Sequence, residues 1–342
     1  MKKQLFNRLY TWLRTPKVLS IILVMMSVSL LLVYRYFHPE IHRIPSNPDS
    51  LHEINFFALG DQGSGGLEQR AVAEAMEKVA KKNKKLDFVI LLGDNFYIDH
   101  KLTETSSEWN TMFEEVYTGT YLSTVPFYAI LGNHDNDLSL STKTHPEIEY
   151  SKKALGSNRW RMPSHYFHND FGNINGKPLL RIVFLDTNAT SEEMTQQANY
   201  VREQFISNPI QPIWKIVAGH HTIRSCGKHH RDVDLAKTLL PALQEAKVDA
   251  YLSGHDHNQQ LIIKKGEPLY VVNGVGGKGL YTQKIHSEQL AFFSAGYGFV
   301  SLKANADKLN IDFFDDQAKG VSSHELARDC SNLSAHCIKA TK

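Results

Sequence analysis

Five hydrophobic runs in this chain end in a glycine that is followed at once by Asp, Asn or His. The residues after these glycines are Asp61, Asp94, Asn133, His220-His221 and His255-Asp256-His257. In layered α/β proteins, ligands bind beyond the carboxyl ends of the strands, and glycine permits tight turns at such points. We therefore expect the five ends to bring two carboxylates, one amide and at least three imidazoles to a common rim.

Carboxylate, amide and imidazole groups are metal-ligand types. Imidazole suits iron, zinc and manganese, whereas carboxylates suit harder cations. A single Asp after a glycine is usually a turn or cap residue, so the prediction depends on the joint pattern. The candidate ligands outnumber what one ion needs, which favours two ions ~3.5–4 Å apart, an arrangement suited to phosphate chemistry. Two cations at that distance repel each other, so a carboxylate must bridge them.

The elements that position these residues alternate between strands and helices. Strands are predicted at 54–59, 87–92, 127–131, 179–185, 213–218, 250–253, 261–264, 269–272, 298–303 and 309–314. Helices are predicted at 67–85, 107–118, 191–206 and 231–246. This alternation indicates an α/β sandwich with a mixed or parallel core sheet. The weakly periodic stretch 136–170 is expected to form a lid or wall beside the site.

The N-terminal segment has a different character. Residues 18–34 carry no charge, follow five Lys/Arg residues, and approach the ~20 apolar residues that span a bilayer. The positive-inside tendency then predicts a single-pass anchor with the rest of the chain on the periplasmic, extracellular or lumenal side. A cleaved signal peptide is the alternative, although the residues at the exit of the run are bulky. The expected domains are a basic cytoplasmic segment 1–17, an anchor 18–37, a linker 38–53, a catalytic domain 54–320 and a peripheral tail 321–342.

Charge and cysteine content narrow the possible partners. Residues 1–43 hold seven of the 38 Lys/Arg and one of the 36 acidic residues, which leaves 31 basic and 35 acidic residues in the remainder. A slightly acidic globular part is a poor nucleic-acid binder, so no nucleic-acid partner is expected. Of the three cysteines, Cys330 and Cys337 could pair in an oxidising compartment, and Cys226 is left over. The sequence does not indicate an oligomeric state.

The ordered motifs GD, GDNFY, GNHD, GHH and GHDH resemble those of the calcineurin-like metallophosphoesterases. Within that family the chain is most similar to the low-molecular-weight purple acid phosphatases, also called tartrate-resistant acid phosphatases. Tyr97, three positions after Asp94, is the distinguishing residue, and the resemblance spans about residues 51–320. It implies a layered βαβ sandwich in which two central mixed sheets are flanked by helices.

The resemblance also implies a ligand set. Asp61, Tyr97 and His257 would hold a ferric ion, Asp94 would bridge, and Asn133, His220 and His255 would hold a divalent ion, namely Fe²⁺, Zn²⁺ or Mn²⁺. A free tyrosine has a pKa of ~10, so a highly charged ion is needed to deprotonate it near neutrality, which supports Fe(III) at Tyr97. The alternative is that Tyr97 only packs on its strand and the site holds Mn²⁺ or Zn²⁺ without iron.

The expected activity is that of a dinuclear phosphomonoesterase, in which metal-bound hydroxide attacks a small phosphate monoester in line. We expect His134 to bind phosphate and protonate the leaving group, Asp135 to orient the His134 ring, and His229 to face the substrate. The alternative for His229 is that it is only a solvated surface residue with no role at the site. A phosphodiesterase or nucleotide pyrophosphatase on the same ions is the alternative enzyme, and loops 136–170 and 222–232 would decide between them. The alternative that is not an enzyme is a non-catalytic, membrane-tethered binding protein.

Overall fold

A computed structural model of the protein describes residues 52–135, 145–230, 232–328 and 338–341. Within these residues, strands β1 to β15 run Glu53–Leu59, Phe88–Leu91, Phe127–Ala129, Trp160–Arg161, Phe167–Ile174, Lys177–Phe184, Trp214–Ala218, Ala250–Ser253, Gln259–Ile262, Leu269–Asn273, Leu290–Ser294, Gly298–Asn305, Lys308–Asp315, Gly320–Ala327 and Ile338–Ala340. Helices α1 to α4 run Leu67–Asn83, Pro146–Lys152, Ser191–Arg202 and Val233–Glu245. Two π-helical turns occupy Asn110–Glu114 and Glu203–Ser207.

The strands form two mixed sheets. The first has eight strands in the order β15-β14-β13-β12-β1-β2-β3-β4, and the second has seven in the order β11-β9-β10-β8-β7-β6-β5. In the first sheet β1 to β4 are parallel, and β1 pairs antiparallel with β12. In the second sheet β6, β7, β8 and β10 are parallel. The expected sandwich of two mixed sheets is confirmed.

The core lies mainly between the sheets. One cluster of buried side chains joins β1, β2 and β3 of the first sheet to alternate residues of β6 and β7 in the second. A second cluster packs the other face of β6 and β7 against α3 and α4. The parallel strands are buried on both faces, which is why they appear in the sequence as nearly continuous apolar runs.

Several elements begin where their sequences predict. Asp232 caps α4, because its side chain accepts a hydrogen bond from the Leu235 amide at 2.9 Å. Thr190 and Glu193 form a capping box at the start of α3. Helix α3 is shorter than the expected 191–206, because its last turn widens into the π-helical turn at Glu203–Ser207. The expected helix 107–118 contains the other π-helical turn.

The prediction of a peripheral tail from residue 321 is wrong, because Gly320–Ala327 forms β14 and Ile338–Ala340 forms β15, both in the first sheet. The apolar pattern of β14 is inverted: Ser322 and His324 face inward at 8% and 4% exposure, whereas Val321 is 37% exposed. The Ser322 hydroxyl and His324 Nε2 form a hydrogen bond at 2.7 Å, so each of these buried polar groups has a partner. The stretch 136–170 likewise contains helix α2 and strand β4.

The anchor predicted at 18–37, the cytoplasmic segment 1–17 and most of the linker 38–53 lie outside the described residues, as do Cys330 and Cys337. In the part of the chain that the structure describes, no helix combines the length and the apolar character needed to cross a bilayer. Cys226 is buried and carries a free thiol.

Candidate metal centre

The predicted site residues follow the carboxyl ends of parallel strands in both sheets. Asp61, Asp94 and Asn133 follow β1, β2 and β3, and His220 and His255 follow β7 and β8. Hydrogen bonds tie the two sets of strand ends together. The His255 amide donates to Asp61 Oδ2 at 2.8 Å, and the Gly60 amide donates to the Asn273 carbonyl of β10 at 2.8 Å.

One half of the centre is built around the Tyr97 hydroxyl. This hydroxyl lies 3.0 Å from Asp61 Oδ1, 2.8 Å from Asp94 Oδ2 and 3.3 Å from His257 Nε2. His257 Nε2 also lies 3.1 Å from Asp61 Oδ1. The other ring nitrogen of His257, Nδ1, bonds the Gly279 carbonyl at 2.5 Å, which fixes the ring with Nε2 turned into the cluster.

The other half of the centre is built around His220. Its Nε2 lies 3.1 Å from Asn133 Oδ1, 3.4 Å from Asp94 Oδ1 and 3.3 Å from His255 Nδ1. Its Nδ1 bonds the Leu92 carbonyl at 2.8 Å, so the ring orientation is fixed by backbone, as in many metal-ligating histidines. Asp94 therefore has one oxygen on each half of the centre.

The backbone is strained at three of these positions. Asp61, Asp94 and His255 have φ angles of 58°, 54° and 66°, in the left-handed region that residues with side chains rarely adopt. Each such residue costs ~1–3 kcal/mol and persists where the surrounding structure enforces it, which is common at functional sites. Glycine is required beside them, because a Cβ on Gly132 would lie 2.2 Å from Asp94 Oδ1 and one on Gly254 would lie 2.6 Å from Asp61 Oδ2.

The electrostatics of the cluster favour a bound cation. Burial, and then the Asp61 and Asp94 carboxylates, raise the pKa of the Tyr97 phenol far above its ordinary value. Burial, and then neighbouring His220 and His221, lower the pKa of His255 far below its ordinary value, so this ring stays neutral. Neutral imidazole is the form that binds metals, and a phenol between two carboxylates ionises when a strongly charged cation joins them.

This donor set fits a pair of metal ions. Asp61, Asp94 and His220 are buried and offer ligand atoms that all lie within 4.8 Å of one another. Three oxygens and one imidazole converge on the Tyr97 half, whereas one amide oxygen, two imidazoles and the second oxygen of Asp94 converge on the His220 half. Two buried carboxylates and a phenol in contact are costly without positive charge, and two cations would supply it.

Two histidines border the centre and are exposed to solvent. The His134 amide donates to Asp94 Oδ1 at 2.9 Å, and its ring centroid lies 4.7 Å from that of Tyr97. The His229 ring lies 4.0 Å from the His255 ring. Both rings are therefore beside the cluster on its open side, where they can contact a bound substrate.

The prediction that Asp135 orients the His134 ring is wrong. The Asp135 carboxylate instead accepts hydrogen bonds from the amides of Asn95, Phe96 and Gly132 at 2.8–3.0 Å, and no hydrogen bond joins it to the His134 ring among the described residues. Burial, and then nearby Asp94, raise the Asp135 pKa to about 7. Asp135 therefore binds together the turns that carry the candidate ligands, since the strand ends leave these amides without other partners.

Some residues at the same rim follow a strand that does not end in glycine. Strand β6 ends before Asp186 and Thr187, and Thr187 Oγ1 lies 2.8 Å from His221 Nδ1. This contact orients the His221 ring, which lies 4.5 Å from the His255 ring. Burial, and then His220, lower the His221 pKa to about 4. The sequence signal for these residues is the Asp-Thr pair that directly follows an apolar run.

The segment after β10 also contributes two side chains to the surroundings of the centre. Tyr281 stacks on the His257 ring at 4.2 Å with an interplanar angle of 6°. Lys278 Nζ lies 4.3 Å from the centroid of the Tyr97 ring. These residues form a wall on the Tyr97 half of the centre.

Comparison with known proteins agrees with this geometry. The family model for the calcineurin-like phosphoesterases matches residues 51–259. The chain is 31% identical to Purple acid phosphatase 7 of Arabidopsis thaliana over 315 residues, covering 85% of this chain and 90% of that protein. It is 28% identical to the Tartrate-resistant acid phosphatase type 5 of Sus scrofa, covering 83% of this chain and 89% of that protein.

Solved structures share the fold. Purple acid phosphatase PPD1 from yellow lupin seeds superposes with a TM-score of 0.62 at 17% identity, covering 82% of this chain and 55% of that one. GAP50, the anchor in the inner membrane complex of Plasmodium, superposes with a TM-score of 0.67 at 23% identity, covering 80% and 89%. At these identities the likeness concerns the fold alone. The family match and the purple acid phosphatase relatives show that this chain belongs to the calcineurin-like phosphoesterases and is a dinuclear metal-dependent phosphatase.

Proposed function

We propose that this protein is a phosphomonoesterase of the acid-phosphatase type that uses Fe(III) together with Fe²⁺, Zn²⁺ or Mn²⁺. The observation that carries the proposal is the Tyr97 hydroxyl, which lies within 3.0 Å of both Asp61 and Asp94. A phenol held between two carboxylates is a hard anionic donor set once a trivalent cation is present. The resemblance to purple acid phosphatases supports the same assignment.

Each half of the centre would hold one ion. Asp61, Tyr97 and His257 would hold the ferric ion, Asp94 would bridge, and Asn133, His220 and His255 would hold the divalent ion. The ions, when bound, activate water as a nucleophile and neutralise charge on the phosphoryl oxygens.

The exposed histidines would act directly on the substrate. His134 follows Asn133 and lies against Tyr97, so its ring N–H can donate to a phosphoryl oxygen or to the departing alkoxide. His229 lies over His255 and can donate to the substrate from the other half of the centre. Asp135 has no direct role, because it binds the turns rather than the substrate.

Paired assays test the substrate class. The metal-loaded full chain should hydrolyse an aryl phosphate monoester faster than the matching aryl diester, and chelation should abolish both activities until metal is restored. A higher rate on the diester would replace our proposal with the phosphodiesterase alternative. Activity that survives complete metal removal would contradict the dinuclear mechanism itself.

A leaving-group series tests His134. We expect His134→Asn to lower kcat about 10²–10⁴-fold for an alkyl monoester, whose alkoxide needs a proton, and less for a 4-nitrophenyl ester. Equal losses on both esters would assign His134 to phosphate binding without proton transfer.

We further propose that residues 18–37 anchor the protein, with the catalytic part on the non-cytoplasmic side. The uncharged run 18–34 and the five preceding Lys/Arg residues support this proposal. Alkaline carbonate extraction should leave the full chain in the membrane pellet, and added protease should reach the catalytic part only from the non-cytoplasmic side. Complete release by carbonate would contradict the anchor.

A further inference from the structure

The middle residue of the GHDH motif, Asp256, lies between two candidate metal ligands, but its carboxylate contacts a different part of the molecule. The side chain is fully buried and faces the loop 225–229, which carries His229. A buried carboxylate is costly unless it is hydrogen-bonded, so its partners show what it does. All of the hydrogen bonds that its two oxygens accept come from this loop.

The Asp256 carboxylate accepts three hydrogen bonds from the loop. Its Oδ1 accepts from the amides of Lys228 and His229 at 2.8 and 3.1 Å, and its Oδ2 accepts from the Ser225 hydroxyl. The Gly227 amide then donates to Ser225 Oγ at 2.9 Å. Hydrogen bonds to an ionised carboxylate are stronger than those between neutral groups. Three consecutive amides of the loop therefore depend, directly or through Ser225, on one side chain.

The loop backbone also packs closely against the segment that carries the ligands. A Cβ on Gly227 would lie 2.6 Å from Asp256 Oδ1, so glycine is required for this close approach. Gln260 is fully buried and holds the start of the loop, because its Oε1 accepts from the Cys226 amide at 2.7 Å and its Nε2 donates to Ser225 Oγ at 2.7 Å. The Cys226 side chain is only 5% exposed as a result.

We propose that Asp256 is a positioning residue for the reaction, which holds the loop 225–229 so that the His229 ring lies over His255 on the open side of the centre. The centroids of these two rings lie 4.0 Å apart, and the His229 amide itself donates to Asp256. The exposed His229 ring contacts only the rings of His255 and Tyr281 among the described residues, so its place is set through its backbone. The inference rests on the proposed function, in which His229 donates to the substrate.

The metal ligands on either side are oriented by other groups. The His255 amide donates to Asp61 Oδ2 at 2.8 Å, and His257 Nδ1 bonds the Gly279 carbonyl at 2.5 Å. Loss of the carboxylate between them should therefore displace the loop without releasing the ions. Metal content thus separates a positioning role from a general role in building the centre.

A double-mutant cycle on the metal-loaded full chain tests the assignment. The efficiency kcat/KM for 4-nitrophenyl phosphate is measured in the wild type, in Asp256→Asn, in His229→Ala and in the double variant. The new amide cannot accept from the Ser225 hydroxyl, whose oxygen already accepts two bonds. We expect Asp256→Asn to lower kcat/KM roughly tenfold, mostly through KM, when His229 is present, and less than about twofold when it is absent. Both ions should remain bound in all four proteins.

The buried thiol of Cys226 reports the position of the loop without any assay of activity. Burial, and then nearby Asp256, raise the Cys226 pKa, so loss of this charge alone would speed alkylation. Ser225→Ala keeps the charge and removes the contact from the loop side. In peptide-resolved alkylation of the native full chain, we expect Cys226 to react roughly tenfold faster in Ser225→Ala than in the wild type, because the loop opens more often.

Asp249→Asn is the matched control for Asp256→Asn. Asp249 directly precedes β8, at the end opposite the metal centre, and its Oδ2 likewise accepts from a loop-end amide, that of Lys215, at 2.8 Å. The same substitution there should change neither kcat/KM nor the alkylation of Cys226.

The outcomes separate this inference from the proposed function. Equal losses of kcat/KM with and without His229, release of an ion in Asp256→Asn, or unchanged Cys226 alkylation in Ser225→Ala would each overturn the positioning role. A wild type that leaves the monoester intact with both ions bound would instead overturn the proposed function. The affinity for inorganic phosphate, measured by calorimetry, then replaces kcat/KM in the cycle. Weaker binding in Asp256→Asn only when His229 is present would support the role, and equal weakening in both backgrounds would contradict it.

Discussion

At the scale of single residues, Asp94 is the side chain that links both halves of the centre. Its Oδ2 accepts from the Tyr97 hydroxyl at 2.8 Å, while its Oδ1 lies 3.4 Å from His220 Nε2 and accepts from the His134 amide. Burial raises the Asp94 pKa, but the combined effect of His220 and these hydrogen bonds outweighs burial and lowers it. The carboxylate is thus ionised and shared, as a bridging ligand must be.

Asp94→Asn should therefore lose both ions rather than one. An amide presents one neutral oxygen and cannot offset the repulsion between two adjacent cations. Metal content per chain, measured after gel filtration, should fall close to zero, whereas Asn133→Ala should retain the ion on the Tyr97 half. A full complement of two ions in Asp94→Asn would contradict the bridging role.

Residue type and spacing identified most of this site in advance. The glycine-ended runs predicted Asp61, Asp94, Asn133, His220 and His255, and the structure places all five side chains in one cluster. The role of Asp135 was mispredicted, because position in a motif does not reveal which amides a carboxylate will face. Lys278 was missed for a similar reason. Its contact with Tyr97 joins residues that are remote in sequence, and it depends on how the turn after β10 folds back onto the centre.

At the scale of elements, helix α2 supports the ligand-bearing turns from behind. Glu147 in its first turn is fully buried, and its Oε2 accepts from Asn95 Nδ2 at 2.9 Å. Its Oε1 has no hydrogen-bond partner among the described residues. Burial, and then the nearby Asp135 carboxylate, raise the Glu147 pKa well above its ordinary value of 4.5.

Glu147→Gln should change how stability depends on pH. The folded wild type keeps its proton above pH 4.5, whereas the unfolded chain loses it, so this group lowers stability progressively as the pH rises above that value. Gln is neutral at every pH and keeps an oxygen for Asn95. In urea unfolding of the metal-free protein, the variant should match the wild type near pH 4 and become relatively more stable towards pH 7, by up to about 1.4 kcal/mol per pH unit. An equal destabilisation at both pH values would contradict this account.

Strand β4 is secured to the first sheet by the preceding residue, Arg159. Arg159 is 2% exposed, donates to the carbonyls of Tyr117 and Leu122 at 2.6 and 2.8 Å, and pairs with Glu114 at 2.8 Å. Its guanidinium also lies 5.0 Å from the centroid of the Phe113 ring. Arg159 thereby ties the π-helical turn and the following loop to the strand.

Arg159→Met should destabilise the fold by about 3–5 kcal/mol, because it leaves a mostly buried carboxylate and two carbonyls without their donor. Guanidinium unfolding measures this loss. Arg70→Met is a suitable control, since the Arg70 guanidinium donates to carbonyls of the same region at the exposed surface, and it should cost less than about 1 kcal/mol. Similar losses in the two variants would mean that burial of the ion pair is unimportant.

At the scale of the whole molecule, two mixed sheets pack so that their parallel strands end at one rim. The sequence predicts these strands because burial on both faces makes them continuously apolar. It does not predict β5, whose residues between Phe167 and Phe171 are only half buried, or β14, whose inward face carries Ser322 and His324 beside Leu326. The strands that carry the site are therefore the predictable ones, and the edge strands are set by pairing that a local pattern does not reveal.

The central claim is that a shared aspartate holds a ferric and a divalent ion side by side, with Tyr97 bound to the iron. The most direct measurement is the metal content of the purified full chain together with its visible absorption spectrum. We predict stoichiometric iron with a second divalent metal, and a phenolate-to-iron absorption band that disappears in Tyr97→Phe. Colourless wild-type protein that holds stoichiometric manganese or zinc and is fully active would contradict the claim.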